Sequence, residues 1–185
     1  MKTLIVVILS LFLPMNAFAS DWSMDLLAGT EINTGALAPD YGATFSIDTF
    51  KAIDKYLSVG LSAQYADTIT ASGLPQAMIT VMPDIRLTPA ENFFIDLGIG
   101  PAWNSIPVAI DPMGIGATSP WSIAEKLDFG INMPINDRLG IVAESGMIFD
   151  SISSHTGPIN QWSQGTAADF SMSFFFVMVG INFKL

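Results

Sequence analysis

Six carboxylates and three bases fall on one parity of a chain whose other parity is largely apolar. They are Asp25, Asp48, Asp84, Asp96, Asp128 and Glu144, with Arg86, Lys126 and Lys184. Side chains alternating with apolar residues at a period of two share one face of β-strands. These nine therefore belong to one polar face. A buried carboxylate is strongly disfavoured unless paired, so the expected arrangement is an ion-paired plug in which Arg86 and Lys126 bridge several acids. The alternative is a polar constriction or proton-sensitive gate, with the acids lining a narrow water path.

The same parity also carries Met78, Met82, Ala102, Ile148, Phe174 and Phe176. These can fill space as a hydrophobic plug or line a pocket for a small apolar molecule. His155, beside Ser153, Ser154 and Thr156, is the only histidine. A nucleophilic pair needs histidine and serine oriented by a third group, and a histidine in a long link is ordinarily just solvated. With no cysteine and no second histidine there is no ligand set for a transition-metal site, and no glycine-rich phosphate loop opens a helix. The expectation is a non-enzyme without a cofactor.

The elements that must position these residues are two-faced strands. The last stretch, Ser173 to Leu185, sets Phe175, Val177, Val179, Ile181, Phe183 and Leu185 on one face. Seven earlier segments alternate likewise: Trp22 to Glu31, Tyr41 to Lys51, Tyr56 to Tyr65, Ala77 to Leu87, Phe93 to Trp103, Trp121 to Met133 and Leu139 to Phe149. An even number of dyad-patterned segments of about ten residues is the signature of a bacterial transmembrane barrel. The predicted fold is all-β, an eight-stranded antiparallel up-and-down barrel with its apolar face on lipid. Its polar face is rich in Gly and Ser, as a narrow packed lumen needs. A soluble barrel would instead wet that face with Lys and Glu.

The connections alternate in length. Residues 52–55, 88–92 and 134–138 read as tight turns rich in Asp, Asn and Pro. Residues 32–40, 66–76, 104–120 and 150–169 are longer and contain no Lys or Arg. Short turns belong on the periplasmic side and long loops outside. Trp22, Phe93 and Phe183 then mark one interface, and Tyr41, Tyr65, Trp103, Trp121 and Phe149 the other, as aromatic belts do. Pro83 and Pro101 interrupt strands in a barrel without free edges, and a bulge is expected at Pro83. Glu125 has outward parity, tolerable near the outer rim.

The chain opens with Met1-Lys2-Thr3, an apolar run from Leu4 to Leu13, and Ala17-Phe18-Ala19 before Ser20. That is a secretory signal peptide cut after Ala19, leaving 20–185 as one outer-membrane domain. Of seven basic residues Lys2 falls in the leader, so six bases face seventeen acids. So acidic a chain is a poor partner for nucleic acid.

Assembled in this way, the chain resembles the small eight-stranded outer-membrane proteins of the OmpA/OmpX type, over nearly all of Asp21 to Leu185. The resemblance rests most on the terminal strand. Such proteins end in an aromatic residue with apolar partners at every second position upstream, and this end is read by the barrel-assembly machinery. Val177, Val179, Ile181 and Phe183 match, whereas Leu185 stands where Phe or Trp is usual. The resemblance implies a monomer in the outer membrane with a structural or surface-interaction role through its long loops. OmpW-like barrels suggest the alternative, a narrow channel for small apolar or ionic solutes. Small barrels that deacylate lipopolysaccharide suggest a lipid A-modifying enzyme, but His155-Thr156-Gly157 lacks their His-x-Ser spacing.

Overall fold

The computed structural model describes residues 21–33, 40–69, 75–105, 121–150 and 173–185. The leader 1–19, His155 and residues 34–39, 70–74, 106–120 and 151–172 of the long links and their flanks lie outside them. Eight strands run in order: β1 (Trp22–Asn33), β2 (Asp40–Ala52), β3 (Leu57–Ile69), β4 (Pro75–Ala90), β5 (Phe93–Ser105), β6 (Trp121–Pro134), β7 (Leu139–Asp150) and β8 (Phe174–Lys184). Each pairs antiparallel with the next and β8 closes on β1, giving a closed barrel.

The pairing also fixes the tilt. Stepping across the strands from Trp22 passes Lys51, Val59, Ile85, Leu97, Leu127, Met147 and Phe175, then returns to β1 at Ile32, ten residues further on. A shear of this size on eight strands tilts them about 40° and leaves a lumen only side chains can fill.

The two faces are the reverse of those of a water-soluble protein. Outward positions are exposed and apolar, among them Phe45, Leu61, Ile85, Leu97, Phe129 and Val179. Inward positions are buried and often polar, Asp25, Asp48, Asp96 and Asp128 having no exposed surface at all. A continuous apolar belt far exceeds the few hundred Å² a soluble monomer leaves bare, and it suits acyl chains. Phe93 stacks on Phe129 at 6.5 Å near one rim. Tyr41, Tyr65, Trp103 and Phe149 stand exposed toward the other.

Local sequence explains the tight turns. Asp54 Oδ1 accepts the amides of Tyr56 (2.7 Å) and Leu57 (2.9 Å). Asn136 Oδ1 does the same for Arg138 (2.9 Å) and Leu139 (3.0 Å). In both, a short polar side chain satisfies the backbone where the ladder ends. Tyr56 therefore sits in the turn, not at the head of β3.

Several expected boundaries shift. Strands β3 and β4 run on to Ile69 and from Pro75, pairing beyond the apolar alternation. The turn expected over 88–92 contracts to Glu91-Asn92, because β4 continues to Ala90. The expected bulge at Pro83 is absent. Thr80 pairs with Ala102 and Asp84 with Gly98 in one register, so no residue is inserted between them. The register shift lies instead between Leu87 and Ala90, at Thr88-Pro89. Beside Pro83 the ladder simply lapses for three positions, since each proline removes a donor without adding a residue.

Candidate functional site

Neighbouring strands place like charges face to face inside the barrel: Asp25 opposite Asp48, and Asp96 opposite Asp128. Directly opposed carboxylates repel, so the lumen folds only around cations. Arg86 supplies the first. Its Nε and Nη2 donate to Asp96 Oδ1 (2.8 Å) and Oδ2 (2.6 Å), a two-pronged pair. Nη1 donates to Asp25 Oδ2 at 2.7 Å and Nη2 also reaches Glu144 Oε1 at 3.2 Å. A planar guanidinium suits this role because its donors diverge in a fixed fork.

The faces of that guanidinium are covered too. The rings of Phe50 and Phe94 each lie 3.8 Å from it, one on either ladder beside an acid. Such stacking excludes water and adds cation–π attraction. Both rings depend on glycine: a Cβ on Gly60 or Gly130 would strike Phe50 or Phe94. A Cβ on Gly98 would likewise meet the Asp84 carboxylate. The inward glycines are seats for the plug.

Lys126 supplies the second cation. Its Nζ lies 2.5 Å from Asp84 Oδ2 and 3.3 Å from Asp128 Oδ2, and donates to Ser62 Oγ at 3.4 Å. Asn182 Nδ2 donates to Asp25 Oδ1, and Ser46 Oγ to Asp48 Oδ1 at 2.7 Å. Acids remain in excess, and Asp48 Oδ2 and Glu144 Oε2 have no hydrogen-bond partner. Among the described residues, no three His, Cys, Asp or Glu side chains are grouped to hold a metal ion.

Of the nine inward charges expected, the structure brings eight together. Lys184 does not join them: it is exposed at the short-turn mouth, lining a recess with Asn92, Asn132 and Asn182. Parity assigned it correctly to the lumen side, but at the last ring the lumen is open to water.

Nearer the long links the lumen turns apolar. Met78, Met82, Ala102, Ile148, Phe174 and Phe176 are all buried in one cluster with Leu27, Ala66, Ala124 and Met178. Phe174 and Phe176 pack with ring centroids 6.4 Å apart. These side chains fill the space in which an apolar ligand would sit. Val177, Val179 and Ile181 face outward and exposed on the last strand, with Phe183 half-buried beside them and Leu185 exposed just past the strand's end.

Sequence reasoning left out Glu31, buried beside Gly42. It also left out Thr44 and Gln64, which bond to each other at 2.9 Å. The two aromatic covers of Arg86 were missed as well. The signal was available, because Phe50 and Phe94 stand two residues from Asp48 and Asp96 and share their parity.

No protein-family model matches the chain, and no curated protein matches it. Solved structures do match. Neisserial surface protein A superposes with a TM-score of 0.63 at 12% identity, over 90% of this chain and 98% of that one. Ail, the attachment invasion locus protein of Yersinia pestis, gives 0.48 at 10% identity, over 89% and 100%. OprG of Pseudomonas aeruginosa gives 0.42 at 11% identity, over 90% and 97%. With the shear, the apolar belt and the packed lumen in place, the chain has the fold of the small eight-stranded bacterial outer-membrane β-barrels.

Proposed function

We propose that the protein is a non-enzymatic, monomeric resident of the bacterial outer membrane whose barrel is a closed anchor and whose four long links face outward. The leader 1–19 is removed after Ala19 on export, and the terminal strand through Phe183 and Leu185 serves the assembly machinery. One observation carries this reading: Arg86 and Lys126 tie five acids from five strands into a buried network across the lumen. A barrel filled in this way spends its interior on stability. Its contact with the surroundings then passes through the loops, in a structural or surface-interaction role.

The test is solute flux. Protein refolded into lipid vesicles loaded with a small fluorescent ion should leave the ion entrapped as long as empty vesicles do. Rapid release would favour the alternative, a narrow channel for small apolar or ionic solutes.

A further inference from the structure

We propose that the barrel wall opens at one place, the seam between β4 and β5 beside Met82. Register partners flank this place without a shift, Thr80 with Ala102 and Asp84 with Gly98, yet Val81, Met82 and Pro83 between them have no partner on β5. Pro83 and Pro101, the two strand prolines that stand away from strand ends, both lie in this window. Pro83 would pair with Ile99 and Pro101 with Val81, and in an antiparallel ladder two pairs separated by two residues belong to the same hydrogen-bonding class. Each proline can accept there but not donate. The seam thus loses two ladder bonds at adjacent rungs, and the carbonyls of Val81 and Ile99 lose the donors they face.

The other side of each strand is intact. Pro83 pairs with Leu61 on β3 and Pro101 with Ile123 on β6 without interruption. Both missing donors therefore point into a single seam. The one register shift among the eight pairings, at Thr88-Pro89, lies in that seam too. Behind it β5 presents Gly98 and Gly100, so no β5 side chain braces the wall from within; the lumen side chains beside them are the Asp84 carboxylate, against Gly98, and Met82, fully buried. Among the described residues the other seven ladders run without a gap, and in a bilayer nothing replaces a backbone bond once lost. Opening begins where the fewest bonds must break.

The chain has no cysteine, so a thiol placed at Met82 reports alone. The experiment compares Met82→Cys with Met178→Cys, an equally buried inward position on β8 whose ladders on both sides are continuous. Each variant is refolded in vesicles and labelled with a lipid-soluble maleimide. Met82→Cys should label about tenfold faster or more, the scale set by two missing backbone bonds. Adding Pro83→Val and Pro101→Val should bring it down to the Met178→Cys rate. Equal rates for the two thiols, or a Met82→Cys rate that the proline replacements leave unchanged, would overturn the proposal. Should the proline variants fail to fold, amide exchange of the unaltered protein decides. The Val81 and Ile99 amides should exchange well before those of Val177 and Val179, and simultaneous exchange would overturn it as well.

Discussion

Arg86 and Asp96 stand directly opposite one another on β4 and β5 and join through two parallel hydrogen bonds of 2.8 and 2.6 Å. Because the same guanidinium also holds Asp25 and Glu144, removing it strands three buried acids at once. Breaking a buried pair from one side costs about 3–5 kcal/mol. Arg86→Met should lower unfolding stability in lipid by at least that range, read from urea titrations. Arg86→Lys should restore little, since an ammonium cannot make the two-pronged contact. Full rescue by lysine would show that charge alone matters.

Asp48 gives a prediction of opposite sign. It faces Asp25 across the β1–β2 pair, and its Oδ2 has no hydrogen-bond partner. Asp48→Asn keeps an acceptor for Ser46 and removes one of the opposed charges. The urea midpoint should rise, corresponding to a gain of up to about 1 kcal/mol. A clear fall would mean that Lys126 depends on Asp48 more than Asp25 is harmed by it.

The glycine seats predict coupling. Gly130→Ala drives a methyl group into the Phe94 ring, and overpacking of this kind costs about 1–3 kcal/mol. In Gly130→Ala combined with Phe94→Leu the second change should cost less than it does alone, because the ring that suffered is gone. Strict additivity of the two would deny the contact.

The outer belt predicts a dependence on depth. Val179, 56% exposed near the middle of β8, should tolerate arginine badly, at a cost of about 2–4 kcal/mol. Tyr41, 67% exposed at the long-link rim, should accept it at about 0–1 kcal/mol. Equal costs in lipid at the two sites would contradict the orientation of the belt.

What the sequence made legible was face, and what it concealed was depth and partnership. A period of two tells inward from outward at every position, which is why Asp25, Asp84, Asp96, Asp128 and Glu144 could be assigned to one interior. It does not tell which of them meet. That depends on the ten-residue shear, a property of all eight pairings together, so the choice of Asp25, Asp96 and Glu144 by Arg86 and of Asp84 and Asp128 by Lys126 could not be read off. The same blindness to depth placed Lys184 among buried groups.

Strand ends were misjudged for a related reason. Apolar alternation marks where the chain meets lipid, while hydrogen bonding continues past the interface to Ile69 and Pro75. The prolines misled differently. Pro83 reads as a break in its own strand, and only the pairing reveals that Pro101 shares the same seam.

The most direct test of the closed lumen is single-channel recording of the refolded protein in a planar bilayer. A lumen closed by Arg86 and Lys126 predicts a flat baseline under applied voltage, with current steps emerging only when Arg86→Ala and Lys126→Ala are combined. Steady, uniform steps from the unaltered protein would contradict it.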